Sequence, residues 1–245
     1  MFPLVHYFVN RNIYGKVPKM MALGAIWPDL AAGSGFSRDI AHQMGHDFYQ
    51  WCLENAPEHL DLARGVISHG NNPPCVDYYA DEDWPGCEKG WCFAQGAPYM
   101  DRVGAATHLP RKLHWWKAHN FVEMSYELIA AGDLPGLSDE LLTSLEDEPG
   151  KREAARVLAA YTGKSAADIH AMFCKIPQIF AIQDISPEKL AFKQYTAFSI
   201  RHDIHDADMP AMAALLEQMS HELSPGYYPF MARVLSLTAN ALAKY

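Results

Sequence analysis

The stretch Leu113-His-Trp-Trp-Lys-Ala-His-Asn-Phe-Val-Glu-Met124, continuing as Ser-Tyr-Glu-Leu-Ile-Ala-Ala-Gly132, decides how this chain is read. It follows Pro110 and holds no breaker before Gly132, which predicts one long helix. On a helix His119 and Glu123, four residues apart, share a face. An imidazole and a carboxylate held that way can grip one divalent ion. His114 lies some 140° around from His119 on an ideal helix, so His108, just upstream, competes with it as a third ligand.

Working outward, helical signals dominate. Ser37 is placed to cap a helix running through Ile40, Met44, Phe48 and Trp51. Pro57 stands at a first helical turn and Gly70 at a stop, with Leu60, Ala63, Val66 and Ile67 at helical spacing between them. Ser138 with Glu140, Ser165 with Asp168, and Ser186-Pro187-Glu188 mark further starts. Residues 209–221 and 228–243 carry Ala, Leu and Met at helical spacing. Residues 70–100, with Asn-Asn-Pro-Pro, Trp-Pro-Gly and Gly-Ala-Pro, read as one long irregular loop, and a loop of that length in a compact domain is usually functional. No alternating strand pattern, internal repeat or linker interrupts the chain. The expectation is an all-α, compact multi-helix bundle in a single domain, 1–245. Its metal-site half is 1–131 and its supporting helical half is 132–245.

Composition narrows the function classes. The 245 residues are 49% hydrophobic and 20% charged, ordinary for a soluble globular chain. A net charge of −9 with no basic tract argues against a general nucleic-acid binder. It leaves a small-molecule or lipid phosphoester open as a substrate. No apolar run approaches the ~20 residues of a transmembrane span. The opening residues lack the basic region and apolar core of a secretory signal. With five cysteines, an odd and sparse set, the expected setting is a reducing cytoplasm. Oligomeric state leaves no mark on the sequence.

Eight of the twelve histidines precede residue 124. His6 follows Pro-Leu-Val. Asp29 ends Gly-Ala-Ile-Trp-Pro-Asp, behind an apolar run, and a buried carboxylate there needs a partner. His42 and His46 form an i, i+4 pair. His46 is the preferred ligand, with His42 as its solvated neighbour. His69 ends the apolar face of Gly-Val-Ile-Ser-His, and Asp77, Asp81 and Asp83 lie close downstream. The loop cysteines Cys75, Cys87 and Cys92 lack a paired Cys-x-x-Cys spacing. His202-Asp-Ile-His-Asp-Ala-Asp208 reads as a solvated helix end.

In their shared order, these pieces resemble the zinc-dependent phospholipase C family. The resemblance rests on His6, the Gly-Ala-Ile-Trp-Pro-Asp29 run, His46 followed by Phe-Tyr-x-Trp, Gly-Val-Ile-Ser-His69, and His119-Asn-Phe-Val-Glu123. They span the first half of the chain. It implies an all-helical hydrolase acting on a phosphoric ester, in particular a phosphodiester, through a metal-activated water at a di- or trinuclear zinc site. Iron or manganese suits the same donors. Asp29, His46 and His69 would hold one ion. His119 and Glu123, with His114 or His108, would hold a second, and His6 a third or bridging one. Where the better-known members carry a bridging aspartate one helical turn after the histidine matched by His69, this chain has Pro73. Asp77 is the expected substitute and, with Asp29, the expected catalytic carboxylate. Trp27, Trp115 and Tyr78 would line an apolar entrance. Two other readings stand beside this one. His46-Asp47 also fits an HD-type metal phosphohydrolase, and the Pro73 departure fits a catalytically inactive metal-binding or scaffold relative.

Overall fold

A computed structural model describes residues 2–245. Its described residues form thirteen α-helices and no strand, in order α1 (Pro3–Tyr14), α2 (Lys19–Leu30), α3 (Arg38–Gln43), α4 (Gly45–Asn55), α5 (Leu60–His69), α6 (Trp91–Gly96), α7 (Met100–Thr107), α8 (His114–Asp133), α9 (Leu137–Leu145), α10 (Glu148–Thr162), α11 (Ala166–Ile179), α12 (Pro187–His202) and α13 (Met209–Leu242). The all-α bundle is as expected. No described helix is long and apolar enough to cross a membrane.

Capping chemistry sets several boundaries. Ser37, Ser165 and Ser186 accept the amides of Ile40, Asp168 and Lys189, so each starts the helix that follows it. Ser138, by contrast, lies one residue inside α9, whose cap position is the left-handed Gly136.

Three sequence expectations are corrected. The helix expected through Ile40, Met44 and Phe48 is two helices. Its ladder is interrupted where Asn71 donates to the His42 carbonyl (2.7 Å) and His46 donates to the Asn72 carbonyl (3.0 Å). Ile40, expected inside, is 56% exposed. The segments at 209–221 and 228–243 are one helix through Pro225 and Pro229. An interior proline costs about 3 kcal/mol; burial of Leu223, Tyr227, Phe230, Met231 and Val234 along one face offsets that. Finally, the 70–100 segment is irregular only in part. It holds a π turn at Tyr78–Glu82, then α6.

The tightest crossing in the bundle joins α2 to α5. Gly24 and Gly65 face each other's helix so closely that a Cβ on either would collide with backbone. From Gly24 it would lie 3.0 Å from the Leu62 carbonyl carbon, and from Gly65 2.7 Å from the Ala25 nitrogen. Only glycine admits this approach. It brings the C-terminal ends of both helices together, Asp29 on one and His69 on the other.

Candidate metal centre

His69 is the last residue of α5 and fully buried. Its Nδ1 lies 2.6 Å from the Ala25 carbonyl of α2. A carbonyl only accepts, so Nδ1 carries the proton and Nε2 presents a lone pair. His42 on α3 repeats the arrangement, its Nδ1 lying 2.7 Å from the Arg38 carbonyl. The two Nε2 atoms face one another at 3.1 Å. Asp77 Oδ2 completes a triangle, 3.1 Å from His69 Nε2 and 3.2 Å from His42 Nε2. Three donor atoms converging at these spacings could hold one cation between them. With metal–ligand bonds of 2.0–2.1 Å, a tetrahedral site has donor–donor edges of about 3.3 Å, close to what is seen. Asp29 Oδ1 stands behind as a fourth donor, 3.8 Å from His42 and 4.0 Å from His69. The outer bonds to Ala25 and Arg38 are the kind that fix the tautomer of a ligating histidine.

Asp77 also reaches the other way. Its Oδ1 lies 3.2 Å from Nε2 of the fully buried His6, whose ring stacks on His69 at 3.8 Å. Burial first, then the nearby His69, lowers the His6 pKa to about 4. It is therefore neutral and free to ligate at neutral pH.

A second group lies beside the first. Asp81, His119 and Glu123 each offer a donor atom within 4.8 Å of the others, and all three are buried. Asp77 directly precedes the π turn and Asp81, four residues on, lies within it, and each gives a carboxylate to one group. Single-turn π segments recur at functional sites because they re-aim side chains. Burial, and then the Glu123 and Asp77 carboxylates, push the Asp81 carboxyl well above its ordinary range. That repulsion is what a divalent ion would relieve. Burial lowers the His119 pKa to about 4, and its ring stacks on Phe93 at 4.1 Å. Asn120 donates to Glu123 Oε2 at 3.1 Å.

The structure thus brings together Asp29, His69, Asp77 and His6, and beside them His119 and Glu123. It does not bring in His46, which points away and lies 2.9 Å from the Tyr245 hydroxyl. The interruption at Met44 is the cause. His42 and His46 no longer share a face, and His42, expected to be solvated, is 3% exposed inside the group. His114 is also outside, bonded to the Leu109 carbonyl at 2.8 Å and packed over Gly104. His108 pairs with Asp206 at 3.2 Å on the surface. Asp47 is exposed and belongs to neither group.

The expected entrance is also redrawn. Trp27 is fully buried against Phe173 and lines core, not an opening. Trp115 is 38% exposed on Phe93. Tyr78 is half-buried and directs its hydroxyl to Asp83.

Sequence reasoning passed over Arg38 altogether. Its Nη2 stands 4.0 Å from both Asp29 Oδ1 and Asp77 Oδ2, and its side chain is 47% exposed. The only local signal was its place directly after the Ser37 cap.

No protein-family model, curated protein or solved structure matches the chain. Fold and geometry together define an all-helical protein with buried histidine–carboxylate groups able to hold metal ions.

Proposed function

We propose that this chain is a metal-dependent hydrolase of a phosphoric ester, with a phosphodiester as the leading substrate class. The observation that carries the proposal is the triangle of His42 Nε2, His69 Nε2 and Asp77 Oδ2, sized for one metal ion. The resemblance to zinc-dependent phospholipase C supplies the reaction class. Asp29, His42, His69 and Asp77 would hold one ion, and Asp81, His119 and Glu123 another, with His6 facing Asp77 from the interior. Ions bound there supply Lewis acidity, which acidifies water and neutralises phosphoryl charge.

The protein's own groups divide the remaining tasks. The floor of the site, His6 and His69, is fully buried, whereas the Asp29 and Arg38 side chains are 14% and 47% exposed. Substrate therefore enters on the Asp29–Arg38 side. Arg38 offers a forked donor to the phosphoryl oxygens of an anionic ester. Asp29 is the most open carboxylate of its group and is placed to accept a proton from an attacking water. The HD-type alternative draws no support, since the Asp47 it needs at the metal is exposed.

The test is hydrolysis of bis(p-nitrophenyl) phosphate and p-nitrophenyl phosphate by untagged protein with zinc or manganese, paired with metal analysis. Arg38→Ala should raise KM for the diester, and Asp77→Asn should abolish both turnover and one equivalent of metal. Binding of less than one equivalent would overturn the metal centre. Full binding with no turnover of either ester would favour the scaffold reading over the hydrolase.

A further inference from the structure

The buried centre draws on residues 6–123 only, yet a third group of metal-type donors lies in the other half of the chain. α11 is folded back on α10 through the turn at Gly163, Lys164 and Ser165. His170 and Cys174, four apart, share the face of α11 that meets the start of α10, where Glu148 is the first residue. Glu148 Oε1 is 2.9 Å from His170 Nε2, and His170 Nε2 is 3.7 Å from Cys174 Sγ. For bonds of 2.0–2.1 Å to nitrogen or oxygen and 2.3 Å to sulfur, tetrahedral edges are about 3.3 Å (N to O) and 3.5 Å (N to S). Both distances fall near those edges without any backbone movement. Cys174 is the only exposed thiol of the five cysteines.

We propose that Glu148, His170 and Cys174 form a surface site for a thiophilic divalent cation of the zinc class, separate from the buried centre. Carboxylate, imidazole and thiolate together select a borderline-soft ion over magnesium or calcium. Three protein donors leave the fourth position open to solvent. On binding, the Cys174 thiol loses its proton to solvent. The His170 proton shared with Glu148 Oε1 passes to Nδ1 through water, freeing the Nε2 lone pair. Two resident cations compete. Lys151 Nζ stands 3.0 Å from Glu148 Oε2 and 3.6 Å from Cys174 Sγ, and Arg152 Nε is 2.9 Å from Glu148 Oε1. These contacts hold the carboxylate ionised, the Lys151 bond foremost in lowering the Glu148 pKa. The ion would staple α10 to α11, two elements with no ligand in the buried centre.

Cobalt(II) titration of the full chain tests this, because thiolate ligation gives a near-ultraviolet charge-transfer band that nitrogen and oxygen donors do not. Cobalt in excess of the buried centre should raise the band to a plateau of one thiolate-bound ion per chain, and zinc should bleach it by displacement. Cys174→Ser, a surface change, should abolish the band, while His69→Ala should leave it intact. His170→Ala should weaken binding by about 10–100-fold, at least what loss of a partner that merely supports a ligand costs. Absence of the band in the unmodified chain overturns the site. So does its survival in Cys174→Ser, which would move the thiolate to Cys87 or Cys92.

Discussion

Replacing Gly65 by alanine tests whether the α2–α5 crossing builds the metal centre. The added Cβ would sit against the Met21 carbonyl oxygen and 2.7 Å from the Ala25 nitrogen, where ordinary contact begins near 3.4 Å. Both obstacles are backbone, so no side chain can turn aside. The helices must separate by roughly 1 Å, and overpacking of this kind costs about 1–3 kcal/mol. For 245 residues, an unfolding entropy of ~2.1 cal/mol/K per residue makes each kcal/mol worth about 2 °C. Thermal unfolding in chelator should therefore fall by about 2–6 °C. The site should suffer more than the fold. The separation lengthens the Ala25 carbonyl to His69 Nδ1 bond, now 2.6 Å, and moves His69 away from Asp29, already 4.0 Å off. Calorimetric titration with zinc should show the high-affinity step weakened by at least tenfold, because loss of an outer-shell partner costs about 10–100-fold. A variant that melts within a degree of the parent and binds zinc equally would refute the argument that glycine is there for close approach.

Three further outcomes follow from the same geometry. Zinc at a thousand times its dissociation constant should stabilise the fold by about 4 kcal/mol, a rise of about 8 °C for this chain length, and His42→Ala should erase most of it. His46→Ala should keep the full metal stoichiometry and lose only about 1 kcal/mol from the broken Tyr245 bond; loss of an equivalent in that variant would contradict the placement of His46. Glu127 gives a pH signature. Burial raises its pKa to about 7, against the opposing bond from the Val5 amide. Its folded pKa lies above the unfolded value, so the stability it contributes is complete below about pH 4.5 and is lost as pH rises through 7, at no more than about 1.4 kcal/mol per unit. His6 and His119, with lowered pKa values, tilt the opposite way over part of that range. The measurement is thus the difference in denaturant stability between parent and Glu127→Gln, in which the histidines cancel; a difference flat from pH 4.5 to 7 would contradict it.

What the sequence disclosed, and what it hid, divides along one physical line. Features carried by a single helix were legible. The His119–Glu123 pair needs only the 3.6-residue repeat, and the serine caps need only the residue before an apolar run. The choice between His42 and His46 depended on something no local pattern encodes. Asn71 and Asn72 arrive from beyond α5 and take hydrogen bonds that an unbroken helix would have made itself. That exchange turns His46 toward Tyr245, 199 residues away in the chain, and turns His42 inward. Asp77 stands among the histidines, as the sequence allowed, but the local geometry that puts it there follows no simple periodicity. A π turn that begins just after Asp77 and contains Asp81, invisible to a search for 3.6-residue periodicity, separates the two so that they enter adjoining groups. The same logic explains why Arg38 escaped notice. The Arg38 cation is meaningful only once the end of α2 and the segment carrying Asp77 have placed their two carboxylates 4.0 Å from it. Which histidine joins the candidate centre is thus set by where the helical ladder fails, and the interruption at Met44, more than any motif, turns His42 rather than His46 toward Asp77.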